Sequence, residues 1–200
     1  MMIRIHSKTI YLLLFFLSLL VGCTSSKYEK EEEIEEEEVI IPVEGQGALI
    51  IQTAAVEQQN EMYSPKKDSV YLYWLDNQLL VIKNTTKCNI YALNTLYKAG
   101  FKTPTVNALT RDLMDKTKFT DVLPIINISD PEEIIKGDLI AWYGHVIIFD
   151  YLVKKKNKIY AQAWWSGTSQ EDNNDNVINN VKYGKYPLKG NYIVRRPIKK

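Results

Sequence analysis

Cysteine and histidine are scarce in this sequence, with two of each in 200 residues. His6 and Cys23 lie near the start, so everything beyond residue 23 holds one cysteine, Cys88, and one histidine, His145. One sulfur and one imidazole cannot build a four-ligand zinc site, and no metal or cofactor is expected. Apolar runs are also short. The longest near the N-terminus, Ile10 to Val21, counts 12 residues, against about 20 needed to cross a bilayer. There is no internal repeat and no second linker. The Asp- and Asn-rich stretch Ser166 to Asn180 lacks the spaced acids and terminal glutamate of an EF-hand, and reads as a long surface loop.

What is present first is a leader. Arg4, His6 and Lys8 precede the short apolar run, the pattern of a secretory signal peptide over residues 1–22. Its end, Leu20-Val21-Gly22-Cys23, resembles the lipobox of bacterial lipoproteins. The resemblance implies that Cys23 becomes the first residue of the mature chain and carries the lipid. Several acyl chains, at about 0.8 kcal/mol per buried methylene, would then hold it to a membrane. Thr24 is not the aspartate associated with inner-membrane retention in enteric bacteria, so the outer membrane is expected.

Residues 23–45 read as a tether. Glu29 to Glu38 is a block of like charge with almost no apolar surface, for which disorder or a fraying helix is expected. The whole chain is formally +1. Without Arg4 and Lys8 it is −1, residues 23–38 of the tether are −6, and the part from Val39 onward is about +5. A mildly basic body suits an anionic polymer such as a cell wall; no nucleic-acid partner is expected. Residues 46–200 have the size of one domain with its own core, and a monomer is expected.

Ala48 to Tyr63 reads as a helix, and Val70 to Ile82 fits helix or strand. Asn84-Thr85-Thr86 is an N-cap cluster for a helix from Cys88 to Ala99, closed by Gly100. Asn107 to Lys116 is a further helix. Strand patterns follow at Leu139–Tyr143, His145–Leu152, Ile159–Trp165 and Tyr192–Arg196. Helices first and antiparallel strands later describe an α+β domain.

Within this frame Cys88 opens a helix, where free backbone N–H groups and the positive dipole end favour a thiolate. Taken alone, such a cysteine is more often a packed small hydrophobe. His145 opens a strand at the sheet's rim, where a helix N-terminus can meet it. A Cys/His pair is what nucleophilic acyl transfer requires: the imidazole takes the thiol proton and the sulfur attacks a carbonyl.

The segments Thr86-Lys87-Cys88-Asn89-Ile90-Tyr91-Ala92, Gly137-Asp138-Leu139-Ile140-Ala141-Trp142 and Gly144-His145-Val146-Ile147-Ile148 resemble the NlpC-type and CHAP peptidoglycan hydrolases. Cys88 and His145 stand 57 residues apart, and the resemblance runs roughly from Ala48 to Pro197. It implies a papain-like fold, a hydrolase that cuts an amide bond in peptidoglycan, Cys88 as nucleophile and His145 as base. It also implies a third polar residue on the neighbouring strand. A hairpin turning at Val153 to Lys156 would set Gln162 opposite His145, where its carbonyl oxygen could accept from the ring and fix the tautomer. A glutamine departs from the family's usual His, Asn, Asp or Glu, which leaves Asp150 and Ser166 in reserve. Asp150 alternates onto the strand face opposite His145, which counts against it. Trp142, Trp164 and Trp165 read as core residues before they read as sugar platforms. The same dyad would also serve a protease or an acyl or amide transferase on another substrate, and an idle wall- or host-binding lipoprotein is the alternative outside catalysis.

Overall fold

The computed structural model describes residues 37–41, 45–64, 66–82, 85–167 and 181–200. The expected leader, Cys23, most of the acidic tether, Asn84 and the loop beyond Gly167 lie outside the described residues. No helix among the described residues is long and apolar enough to cross a membrane.

In chain order the elements are β1 (Glu37–Ile40), α1 (Gly47–Glu57), β2 (Ser69–Leu72), β3 (Gln78–Val81), α2 (Cys88–Lys98), α3 (Thr110–Met114), β4 (Ile125–Ile126), β5 (Leu139–Trp142), β6 (His145–Lys155), β7 (Lys158–Ser166), β8 (Val181–Pro187) and β9 (Ile193–Arg195). An antiparallel sheet runs in the order β4-β9-β5-β6-β7-β8, with β1 also paired to β6, and β2 and β3 form a separate hairpin. Helices early and an antiparallel sheet late make this an α+β domain.

The helices are shorter than their sequence patterns. α1 stops at Glu57, and Asn60 then caps a separate 3₁₀ turn, Glu61–Tyr63, by accepting from the Met62 amide. Glu57 is buried and held by Lys98 at 2.6 Å and by the Tyr63 hydroxyl at 2.9 Å. Val70 to Ile82 resolves into strand, turn and strand, because Asp76 and Asn77 tolerate the left-handed conformation that the turn needs (φ 52° and 59°). α2 begins at Cys88 as its pattern predicts. Its N-cap residue, Lys87, makes no side-chain cap. At the other end Gly100, with φ +81°, lets the Phe101 amide reach back to the Leu96 carbonyl (2.9 Å).

The acidic segment differs most from expectation. Glu37–Ile40 is not free tether but an added strand, with Glu38 opposite Lys154 and Ile40 opposite Leu152. Glu37 also pairs with Lys185. Its carboxylates meet the lysine-rich end of β6, and Ile40 packs against apolar neighbours, which together offset the cost of ordering the segment.

The sheet buries both faces. Leu139, Ala141, Val146, Ile148, Trp164 and Val181 pack under the helices with Cys88, Leu93 and Leu96. Ile140, Ile147, Phe149, Ala161, Ala163 and Val194 form a second cluster on the other face. The Gly-Asp turn that starts β5 has a structural cause. Gly137 sits at φ +89°, where a Cβ would come 2.8 Å from the Cα of Gly47. The buried Asp138 carboxylate receives two bonds from Arg196, at 3.0 and 2.9 Å. Arg195, fully buried, donates to the carbonyls of Leu113, Asp115, Lys118 and Leu123 and so pins the loop after α3.

Candidate active site

Cys88 is 2% exposed at the first turn of α2. Its thiol donates to the carbonyl oxygen of Gly144 across 4.0 Å. Burial pushes the thiol pKa up, against the backbone N–H groups of Val146 and Asn89 and the Thr86 hydroxyl, which pull it down. The sulfur therefore lies between the main-chain groups that flank His145, and at neutral pH it keeps its proton.

His145 pairs with Trp142 across the two-residue turn Tyr143-Gly144. Alternation along β6 places its ring with Ile147 and Phe149, on the second-cluster face, whereas α2 covers the face of Val146 and Ile148. There the imidazole stacks on Tyr186, with centroids 5.0 Å apart and planes 19° from parallel. Its Nε2 is buried and has no hydrogen-bond partner. Burial alone pushes its pKa down to about 4, so the ring is neutral at pH 7. The fold thus brings Cys88 and His145 to one rim of the sheet, but their side chains leave it on opposite faces and no hydrogen bond joins them. Both have Tyr186 as a neighbour. Burial raises the phenol's pKa, and the proximity of Cys88 raises it further.

Gln162 is not opposite His145. The β6–β7 hairpin turns at Lys156-Asn157, and Asp150 is an extra residue in β6 between the Phe149 and Tyr151 pairings. These shifts put Gln162 opposite Tyr151, and alternation puts it on the helix-covered face. Both errors come from assuming a shorter hairpin and a regular ladder. Asp150 accepts from the Tyr183 hydroxyl at 2.6 Å and pairs with Lys136 at 3.1 Å, which accounts for its burial without His145. Ser166 is buried at the end of β7, and a Cβ on the next residue, Gly167, would meet Thr86, two residues before Cys88. Trp164 is buried, while Trp142 and Trp165 border the second cluster and pack on Tyr186 at 5.3 and 5.4 Å.

Two neighbours escaped sequence reasoning. Lys87, just before Cys88, is 1% exposed and donates to the carbonyls of Met62, Ser64 and Lys67 at 2.7, 2.8 and 2.7 Å. All three ammonium protons are satisfied, and the loop before β2 is tied to the start of α2. Its only sequence signal is adjacency to Cys88. Tyr186 had none, because β8 follows a polar stretch and its alternation is interrupted by Gly184.

A cavity of about 240 Å³ lies between the start of α1 and the start of β5, lined by Gly47, Ile50, Phe101, Gly137 and Arg196 among others, but by neither Cys88 nor His145. Among the described residues no group of three or more His, Cys, Asp or Glu side chains could hold a metal ion. No family model, no curated protein and no solved structure matches this chain.

Proposed function

We propose that this chain is a lipid-anchored cysteine hydrolase of the bacterial envelope, held at the outer membrane through Cys23, whose papain-like domain cleaves an amide bond in peptidoglycan stem peptides. One observation carries the reading: the thiol of Cys88, at a helix start, rests against the backbone on both sides of a histidine whose ring is neutral. A neutral imidazole can accept the thiol proton. The sulfur then attacks the amide carbonyl, and the C–N bond breaks as the imidazolium returns its proton to the leaving amine. Water, deprotonated by the same ring, hydrolyses the thioester and releases the acid and the thiol. The Cys88 and Asn89 amides, in the first turn of α2 and directed at the sulfur, would turn to the oxyanion once the carbonyl is attacked.

The test is to incubate Ser25–Lys200 with purified peptidoglycan and identify fragments by mass spectrometry, with Cys88→Ala alongside. Fragments that vanish in the variant support the proposal, and their masses name the bond. A folded protein that releases none, from walls of several stem-peptide types, overturns it. A second reading, a wall- or host-binding lipoprotein without catalysis, is favoured by the protonated, buried thiol and the absence of a Cys88–His145 bond. Binding to intact wall without fragment release would select it.

A further inference from the structure

We propose that Tyr186 is a positioning residue that parks His145 on the sheet face away from α2, so that pairing with Cys88 requires the imidazole to leave that stack. This rests on the reading of His145 as the base.

The parking place is built. Tyr186 packs on both Trp142 and Trp165, at 5.3 and 5.4 Å, so the ledge under the imidazole is held by two large rings. The parked ring is poorly satisfied, since its Nε2 is buried without a partner. A buried nitrogen in that condition gains by moving to a place where it is bonded. The chain that carries it is also free to move. Tyr143 is 76% exposed, and Gly144, at φ +90°, has nothing within 4 Å of a built Cβ. Besides the long thiol contact to the Gly144 carbonyl and the Trp142–His145 pairing at its base, the turn is held by one bond from the Gly144 amide to the Thr110 hydroxyl, 3.2 Å and exposed. The fully buried part of β6 begins only at Val146.

The destination is equally close in the chain, because the Cys88 thiol already donates to the carbonyl of Gly144. Reorienting the Tyr143-Gly144 turn moves that carbonyl off the thiol and swings the ring around the rim. The S–H bond then breaks with its electron pair left on sulfur, and the proton passes to the imidazole. The titratable group that faces His145 is Tyr186 from β8; Cys88 from α2 lies across the rim on the other face, and Trp142 and Trp165 carry no charge. Until the ring leaves Tyr186, the nucleophile stays a protonated thiol. A substrate that enters the rim and displaces the ring would switch it on.

The experiment is alkylation of the full chain in detergent by iodoacetamide at pH 7, with the peptide bearing Cys88 followed by mass spectrometry. Tyr186→Leu removes the ledge and is expected to speed labelling about tenfold, the order expected when a thiol gains a base. Tyr186→Phe keeps the ring and should label like wild type. Tyr186→Leu/His145→Ala should lose the gain. A leucine variant that labels at the wild-type rate, or a gain that survives His145→Ala, overturns the proposal; the latter would mean only loosened packing. Wild type alone gives a second test. Its His145 Cε1 proton resonance, assigned by its loss in His145→Ala, should be displaced upfield by the Tyr186 ring, and an undisplaced resonance overturns the proposal even if Tyr186→Leu does not fold. Labelling needs no wall substrate. The expected labelling pattern without wall cleavage would fail only the substrate assignment, and Cys88-dependent cleavage without the pattern would fail only the role of Tyr186.

Discussion

The sulfur of Cys88 lies 4.0 Å from the carbonyl oxygen of Gly144, so the thiol meets the chain one residue before His145 and not the imidazole. A bond of that length contributes little to stability. Cys88→Ala should therefore abolish wall cleavage while lowering unfolding free energy by no more than about 1–2 kcal/mol, the range for trimming a small buried group. Urea unfolding of the variant checks the second half.

His145 makes a pH prediction with a definite sign. Its folded pKa, about 4, lies below the unfolded value of 6.5, so the unfolded chain binds the extra proton first. The stability this group contributes is present above pH 6.5 and is lost as pH falls toward 4. The loss is roughly 2–3 kcal/mol after allowance for a ring that is not fully buried. The difference between wild type and His145→Asn, followed by urea midpoint from pH 7 to pH 4, should show a slope confined to that window. A flat difference would mean that the imidazole is solvated.

Lys87 and Arg195 are buried cations satisfied by backbone carbonyls. Replacing either by Met leaves several carbonyls without a donor and should cost about 3 kcal/mol. The sites of loosening should differ. Hydrogen exchange should rise over residues 62–67 for Lys87→Met and over residues 113–123 for Arg195→Met.

Gln162→Ala should leave the rate of wall cleavage within about twofold of wild type, because Gln162 faces Tyr151's side of the hairpin and not His145. A hundredfold loss would mean that the β6–β7 register shifts when substrate binds.

Gly167 is a sensitive contact behind the nucleophile. It sits at φ +93°, and a Cβ there would come 2.7 Å from the Cβ of Thr86. Gly167→Ala combines backbone strain with a clash against a branched side chain and should destabilise by about 2–3 kcal/mol. Since the Thr86 hydroxyl helps to hold down the Cys88 pKa, the variant's thiol labelling should also shift to higher pH.

Much of this protein was legible in order along the chain. The start of α2 at Cys88, its closure at Gly100 and the β5, β6, β7 and β9 strands follow from local signals: a helical stripe, a glycine C-cap, alternation. The scarcity of Cys and His singled out Cys88 and His145 before any contact was known, since no other side chains could supply that chemistry. What the sequence could not determine depends on counting residues across space. One extra residue at Asp150 and a turn at Lys156-Asn157 moved Gln162 away from His145, because strand pairing reverses face with every single-residue shift. Only the tertiary structure could decide that the glutamates at 37 and 38 have lysine partners, that Lys87 is buried in carbonyls and that Tyr186, some forty residues beyond His145, stacks beneath it. Propensity reads neighbours along the chain, whereas these contacts close long loops whose entropy only the assembled core can offset.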